Sequence, residues 1–220
     1  MRVAIFDFDG TLYQNETFDF MMRHLKHHPE YGKLYGKFFR RILPLYTGYK
    51  MKLVPSPIMK EKSMRAYLAP FSGISEEELT RFFRDMAALM RDGFNPEVVR
   101  RVHQHAEAGD RVMLVSGAFT PLLREAVKDL PFDDVIGTDI PYSGATYDGQ
   151  TNIYHIRSER KNERIHSALG DSTVAWEESA AFGDTLSDMT VLELVGNPVA
   201  VRPEEGLRNI ASERKWEIIG

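Results

Sequence analysis

The chain of 220 residues contains no cysteine, which excludes a disulfide framework, a thiolate metal site and a cysteine nucleophile. It also lacks an apolar run of the roughly 18 residues that a membrane span requires. The apolar stretch near its start is interrupted by Asp7 and Asp9, which is not typical of a signal peptide. We therefore expect a cytoplasmic protein with no transmembrane segment.

Acidic side chains are scarce in one part of the chain. Between Arg23 and Arg65 there are eleven lysine and arginine residues but only two acidic ones, a local balance of +9 within a net charge of −4. Such a segment can attract an anionic partner, or it can be an ordinary solvated surface. The aromatic residues of this segment are Tyr31, Tyr35, Phe38, Phe39, Tyr46 and Tyr49. We interpret them mainly as helical core, with a pocket wall or a membrane-facing patch as alternatives.

The pattern of apolar residues changes along the chain. The short run Val3–Phe6 predicts a buried strand, the stretch 15–93 has helical character, and strands alternate with helices from Asn95 onward. That alternation predicts a parallel sheet with right-handed crossovers. We therefore predict an α/β fold with a Rossmann-like core, residues 1–14 and 94–220. An all-helical cap, residues 15–93, is inserted after the first strand.

Local signals predict where several of these elements begin and end. Four helix-breaking residues indicate a loop in the middle of the cap: Pro44, Gly48, Pro55 and Pro57. The second cap helix is therefore predicted to run from Tyr31 to Leu43. Ser75 and Glu78 have the spacing of a capping box and predict the start of the last cap helix. A hairpin is predicted around residues 147–149.

Two carboxylates follow the first strand in the sequence Asp7-Phe-Asp9-Gly10-Thr11. Gly10 permits an abrupt turn, so both can be brought to one site. Crowded carboxylates repel each other, and a bound cation is the usual remedy. The alternative is an acidic turn that only caps the strand.

Three further groups of polar residues follow strands or open helices, where open α/β sheets usually bind their ligands. Ser116 and Gly117 offer a hydroxyl and a backbone N–H before a helix, which suits an oxyanion, although Ser-Gly is also a common turn. Lys161 lies on a charged segment, and only its context distinguishes it from surface lysines. Asp184 and Asp188 follow an apolar strand, so the first can bind a hard cation and the second can brace it.

Taken in order, these four groups resemble the four motifs of the haloacid dehalogenase superfamily, and most closely its phosphoserine-phosphatase-like branch with a helical cap. The resemblance implies a Mg²⁺-dependent phosphatase in which Asp7 forms an aspartyl-phosphate and Asp9 transfers protons. It implies metal ligation by the side chains of Asp7 and Asp184 and the backbone carbonyl of Asp9, with Asp188 orienting the metal's waters. The implied phosphate ligands are Ser116, the N–H of Gly117 and Lys161.

Two more residues match substrate-binding positions of phosphoserine phosphatases. Glu16 lies where those enzymes place an acid for the substrate ammonium, and Arg65 resembles their arginine for the substrate carboxylate. The fourth motif departs from the family pattern, because Gly-Asp-Thr-Leu-Ser-Asp stands where Gly-Asp-Gly-Ala-Asn-Asp is usual. That departure favours a sister group of phosphatases with other substrates.

The sequence thus predicts an enzyme that hydrolyses a small phosphorylated metabolite and has no nucleic-acid partner. One alternative is a phosphatase for lipid or other amphiphilic phosphates, docked by the basic cap in peripheral contact with a membrane. Another is a phosphate-binding regulatory module without turnover, which the pairing of a nucleophile with an acid disfavours. The physiological substrate and the oligomeric state stay open.

Overall fold

The computed structural model describes residues 1–220, except for the side chain of Pro57. The described residues form eight strands, namely β1 (Val3–Phe6), β2 (Arg111–Phe119), β3 (Asp134–Thr138), β4 (Tyr142–Ser143), β5 (Thr146–Tyr147), β6 (Ala180–Gly183), β7 (Asn197–Val201) and β8 (Glu217–Ile219). Their helices are α1 (Thr17–His27), α2 (Gly32–Lys50), α3 (Ser56–Leu68), α4 (Glu76–Met90), α5 (Pro96–Glu107), α6 (Thr120–Val127), α7 (Glu159–Leu169), α8 (Met189–Leu192) and α9 (Glu205–Glu213). The predicted α/β fold, with a helical cap after the first strand, is confirmed.

Six strands form one sheet in the order β3-β2-β1-β6-β7-β8, and every neighbouring pair is parallel. The central strand β1 lies between β2 and β6, and all of its residues are buried. A strand that is covered on both faces needs a continuous apolar run, which Val-Ala-Ile-Phe supplies. The two short strands β4 and β5 form a separate antiparallel hairpin.

The two faces of the sheet are covered differently. Successive residues of a strand point to opposite faces. Val3 and Ile5 therefore share one face and pack in a cluster with residues of α7, α8 and α9. Phe6 belongs to a second cluster, which continues from the sheet into the cap. At the boundary, the ring centroids of Phe83 in α4 and Phe119 in β2 are 5.8 Å apart. Cap and sheet therefore share one continuous hydrophobic cluster.

The chain leaves and re-enters the core through two linkers that lie side by side. The N–H of Gln14 donates to the carbonyl of Gly93 at 2.9 Å, and the N–H of Asn95 donates to the carbonyl of Leu12 at 2.8 Å. These hydrogen bonds join the linkers at the places where the sequence predicts that the cap begins and ends. An insertion into a folded core requires such closely spaced ends.

The hairpin predicted around residues 147–149 exists, but its turn comes earlier in the chain. The turn lies at Gly144, whose φ of +60° suits a residue without a side chain. Tyr147 lies instead on the strand β5, and its N–H donates to the carbonyl of Ile74 in the cap at 2.9 Å. The hairpin therefore hydrogen-bonds to the cap as well as to itself.

The predicted end of α2 at Leu43 was also wrong, because the helix continues through Pro44 to Lys50. Pro44 has no N–H to donate, but it is exposed, so the carbonyl that loses its partner can bind water. Gly48 does not end the helix either. Its lack of a side chain lets Val54 approach, since a Cβ there would lie 3.0 Å from Val54 Cγ2.

The predicted start of α4 is confirmed, and α5 begins with a similar cap. Before α4, the Ser75 hydroxyl accepts from the N–H of Glu78 at 3.2 Å, and the Glu78 carboxylate accepts from the N–H of Ser75 at 3.2 Å. Before α5, the side chain of Asn95 accepts from the N–H of Glu97 at 3.1 Å. Each contact satisfies a backbone donor that has no partner within its own helix.

Truncation of Phe83 to alanine tests whether the cap and the sheet fold as one unit. Phe83 is fully buried at their boundary, so Phe83→Ala should lower the free energy of unfolding by about 3–5 kcal/mol. Both tryptophans, Trp176 and Trp216, belong to the Rossmann-like core and not to the cap. Their fluorescence therefore reports on unfolding of that unit, whereas circular dichroism reports on the helices of both. We expect the two transitions to coincide and to shift together. Separate transitions would contradict a shared cluster, and exposed Leu89→Ala is the matched control.

Candidate active site

The strand order reverses at β1, because β2 and β3 follow on one side and β6 lies on the other. Ligands of open α/β sheets bind at such a point, outside the carboxyl ends of the strands. Asp7 directly follows β1, and Asp184 directly follows β6. The N–H of Asp7 donates to the carbonyl of Phe182 at 2.9 Å, which extends the pairing of the two strands to the first carboxylate. The two carboxylates therefore lie in the same crevice.

A buried lysine joins two of the predicted site carboxylates. Lys161, in the first turn of α7, donates from Nζ to Asp7 Oδ1 at 2.5 Å and to Asp188 Oδ1 at 2.7 Å. Burial alone would lower the pKa of Lys161, but the charges of Asp188 and Asp7 outweigh it and raise that pKa. The lysine is therefore a fixed positive charge between two carboxylates that are 154 and 27 residues away in the sequence.

Three carboxylates in this crevice could hold a metal ion, since one oxygen from each of Asp7, Asp184 and Asp188 lies within 4.8 Å of the others. Burial and the neighbouring carboxylates raise the pKa of Asp7 well above its usual range, although Lys161 opposes this shift. Burial and the Asp188 charge likewise raise the pKa of Asp184 to about 7. One ammonium does not balance three carboxylates, so these residues fit a hard divalent cation.

Asp188 has little freedom to bind a metal directly. Its Oδ1 accepts from Lys161, and its Oδ2 accepts from the N–H of Thr185 at 3.2 Å and from the Thr185 hydroxyl at 3.1 Å. Burial would raise the pKa of Asp188, but the charge and hydrogen bond of Lys161 lower it overall. Asp188 therefore holds both the lysine and the turn after β6 in place, which fits a bracing role.

Gly10 lets the Asp184 carboxylate reach the crevice. The φ of Gly10 is +75°, and a Cβ at this position would lie 2.0 Å from Asp184 Oδ2. Any side chain would therefore displace the carboxylate. Thr11 contributes a weak contact, because its hydroxyl donates to Asp184 Oδ1 at 3.4 Å.

Asp9 connects the site to the cap. Its Oδ1 accepts from the N–H of Thr17, the first residue of α1, at 2.8 Å. Burial raises the pKa of Asp9 to about 6, although the hydrogen bonds from Thr17 oppose that shift. This contact was not predicted from the sequence, although the start of a helix soon after Asp9 was an available signal. A carboxyl with this pKa can carry a proton near neutral pH.

Ser116 and Gly117 lie where the pairing of β2 with β3 is interrupted. The register shifts between Val115 and Phe119, so the residues between them form a bulge. The hydroxyl of the buried Ser116 accepts from the N–H of Ala118 at 3.1 Å. Bulges redirect side chains next to active sites, and this one lies at the carboxyl end of β2, beside β1.

Sequence reasoning missed His155, which packs against Gly117. A Cβ on Gly117 would lie 2.9 Å from His155 Nε2, so only glycine fits beneath this ring. His155 is buried, and its Nδ1 has no hydrogen-bond partner among the described residues. Burial, with the nearby charges of Arg157 and Lys60, lowers the pKa of His155 to about 4. The imidazole is therefore neutral at physiological pH.

Of the two predicted substrate residues, the described contacts connect only Glu16 to this site. Glu16 is exposed and immediately precedes α1, and its charge contributes to the raised pKa values of Asp9 and Asp184. It is therefore within electrostatic reach of the carboxylates. Arg65 lies in α3 and donates to the Asn152 side chain at 2.8 Å, in an exposed contact between cap and core.

A sequence profile of the haloacid dehalogenase-like hydrolases matches residues 4–193, which include every predicted catalytic, phosphate-binding and metal-binding residue. The chain belongs to this family. The expected resemblance is thereby confirmed. Phosphatases of this family generally use Mg²⁺, and the three carboxylates of the crevice fit that ion.

Several relatives of this hydrolase are named as phosphatases. A histidinol-phosphatase of Neisseria meningitidis is 26% identical over 163 residues, covering 71% of this chain and 72% of that protein. A phosphoserine phosphatase of Mycobacterium tuberculosis is 24% identical over 220 residues, covering 98% of this chain and 69% of that protein. A solved Bordetella pertussis protein of unknown function has a TM-score of 0.80 at 25% identity, covering 100% of this chain and 98% of its own. This hydrolase acts on phosphoric monoesters.

Replacement of Gly10 by alanine tests the close packing of Asp184. Because the new Cβ would displace the carboxylate, Gly10→Ala should lower kcat/KM for 4-nitrophenyl phosphate by about 100-fold or more. Gly109→Ala is the matched control, since Gly109 has a similar φ of +77° but no atom within 4 Å of its Cβ position. Both variants carry backbone strain, so thermal unfolding should shift in each. Equal activities of the two variants would contradict the assigned contact.

Proposed function

We propose that this hydrolase is a magnesium-dependent phosphatase that cleaves a small phosphomonoester through an aspartyl-phosphate on Asp7. The observation that carries the proposal is the buried contact between Lys161 and Asp7, beside a second carboxyl, Asp9, whose pKa is about 6. The contact fixes one oxygen of Asp7, while Oδ2 accepts no hydrogen bond from the described residues. That oxygen is free to attack phosphorus.

The side chains of Asp7 and Asp184 and the backbone carbonyl of Asp9 would hold the magnesium ion. When bound, the ion supplies positive charge that offsets the carboxylates and the incoming phosphate dianion. Lys161 supports the same task, because it already neutralises part of the charge on Asp7. Asp188 keeps this lysine in place from the opposite side.

In the first step, Asp7 Oδ2 forms a bond to phosphorus while the bond from phosphorus to the ester oxygen breaks. The Ser116 hydroxyl, the N–H of Gly117 and Lys161 would bind the phosphoryl oxygens. Asp9 gives its proton to the leaving oxygen, so that an alcohol departs rather than an alkoxide. The hydrogen bond from Thr17 directs the Asp9 carboxyl, and thereby ties proton transfer to the position of α1.

In the second step, the ionised Asp9 accepts a proton from water, and the water oxygen attacks phosphorus. The bond between phosphorus and Asp7 breaks, which releases inorganic phosphate and regenerates both carboxyl groups. A covalent intermediate thus divides one difficult displacement into two easier ones. The proton that Asp9 gave to the alcohol is restored by the water.

Replacement of Asp9 by asparagine separates its role as proton donor in the first step from its role as proton acceptor in the second. Asp9→Asn should slow alkyl phosphate hydrolysis by roughly 10²–10⁴-fold, because positioned acid–base catalysis is lost. With 4-nitrophenyl phosphate the leaving group needs no proton, so we expect a burst of nitrophenolate equal to the enzyme concentration, followed by slow turnover. Stopped-flow absorbance measures both phases, and Asp171→Asn, an exposed change, should behave like the parent enzyme. If hydrolysis of both substrates slowed equally and no burst of nitrophenolate appeared, Asp9 would be excluded as the proton donor.

For the substrate, we propose a phosphate ester that carries an ammonium group. Glu16 places a negative charge near Asp9 and Asp184, which would repel a purely anionic molecule and attract an amine. The two relatives are named for histidinol phosphate and phosphoserine, and both compounds carry an amino group. Residues Thr185 to Ser187 of the fourth motif differ from the pattern usual in phosphoserine phosphatases. We therefore assign the class of substrate but not the particular amine.

Neutralisation of Glu16 tests the substrate class. Glu16→Gln should raise KM for amine-bearing phosphates about fivefold or more, but leave KM for glycerol phosphates nearly unchanged, since only the former lose an ionic partner. Asp19→Asn is the matched control, because Asp19 is an exposed acid in the first turn of α1, three residues after Glu16. Steady-state kinetics with paired substrates gives the comparison. If both substrate classes respond equally, Glu16 acts on the helix rather than on the substrate.

A further inference from the structure

The helix α2 extends beyond the hydrophobic core of the cap. Its buried side chains are Leu34, Phe38 and Ile42, which are spaced four residues apart and form one core-facing stripe. The helix then continues for eight residues to Lys50, which is about 12 Å of helix at 1.5 Å per residue. From 43 to 62, none of the described side chains is buried. We call residues 39–60 the cap tip.

The cap tip exposes an unusual share of large apolar side chains. Seven of the eleven exposed large hydrophobic residues that the structure describes lie here: Phe39, Leu43, Tyr46, Tyr49, Met51, Leu53 and Ile58. Of the six aromatic residues that we interpreted mainly as helical core, only Tyr31 and Phe38 are buried. That interpretation is therefore correct only in part. A concentration of exposed apolar side chains in one segment indicates an interaction surface.

The charge of the same surface has one sign. No aspartate or glutamate occurs from residue 31 to residue 60. The eleven lysine and arginine residues between Arg23 and Arg65 are all exposed. Lys50 lies over the ring of Tyr46 at 5.4 Å, so cationic and aromatic groups occupy the same face. Beside them, an open groove of about 470 Å³ is lined in part by Lys37, Arg40 and Arg41.

We propose that the cap tip docks on the surface of an anionic phospholipid membrane. Leucine, methionine and tyrosine side chains can enter the boundary between headgroups and acyl chains, while long lysine and arginine side chains reach the phosphates. Clusters of basic residues next to apolar ones are attracted to anionic lipids. The proposal does not rest on the proposed catalytic function, because it involves residues outside the active site.

The same observations disfavour other modes of association. No helix among the described residues is long and apolar enough to cross a membrane, so the tip would lie in the interface. A nucleic acid would use the cations and aromatic rings but leave Leu43, Met51 and Leu53 unpaired with any apolar surface. A second copy would bring two tips of like charge together, which is electrostatically unfavourable.

Co-sedimentation of the 220-residue chain with vesicles tests the proposal. Binding should be strong to phosphatidylcholine vesicles that contain phosphatidylserine, weak to pure phosphatidylcholine, and reduced by salt. The double variant Arg40→Gln, Lys50→Gln should lower the partition coefficient about 25-fold, that is, about fivefold per cation. The double variant Tyr46→Ser, Leu53→Ser should lower it about tenfold or more.

The matched controls change exposed residues elsewhere: Arg124→Gln with Arg208→Gln, and Leu89→Ser. They should bind vesicles like the parent protein, and all variants should retain turnover of soluble 4-nitrophenyl phosphate. Equal binding to both vesicle types, or equal losses in tip and control variants, would overturn the proposal. If sedimentation equilibrium showed a dimer that dissociates only in the tip variants, the proposal would be overturned in favour of a second copy. If the parent protein binds vesicles but does not hydrolyse 4-nitrophenyl phosphate, only the catalytic proposal is contradicted.

Discussion

The ammonium of Lys161, enclosed between Asp7 and Asp188, is the interaction on which the site depends. A buried charge is tolerated only when it is paired and hydrogen-bonded, and removal of one partner from such a pair typically costs 3–5 kcal/mol. The lysine comes from α7, while its partners follow β1 and β6. The two ion pairs therefore join these three elements, with the carboxylates at the carboxyl edge of the sheet. The charges to which we assign the chemistry thus also hold parts of the core together.

The cap is joined to this charged centre in two ways. The N–H of Thr17 binds Asp9 directly, and the cluster around Phe83 and Phe119 continues from the sheet into the helices. The first link is polar and local, so a small movement of α1 would change the position of Asp9. The second is apolar and extensive, and it resists separation of α4 from the sheet. We infer that any opening of the cap involves α1 to α3 more than α4.

Much of the fold and of the site was predictable because local sequence and global packing agree. Asp7, Asp184 and Lys161 stand next to apolar strands or in a helix start, and topology brings such positions together. Pro44 and Gly48 misled for different reasons. Pro44 is exposed, so water can bind the carbonyl that loses its partner, and Gly48 leaves room for Val54 to approach. The contacts of Asp9 with Thr17 and of Gly117 with His155 depend on tertiary approach. No periodicity encodes such contacts.

The most direct test asks where the phosphoryl group resides during turnover. The enzyme is mixed with Mg²⁺ and 4-nitrophenyl phosphate, quenched in acid and reduced with borohydride, which converts an aspartyl-phosphate to homoserine. Peptide mass spectrometry should find that conversion at Asp7, and only when magnesium and substrate are both present. Conversion at another residue, or full turnover with Asp7 unmodified at every quench time, would contradict the account.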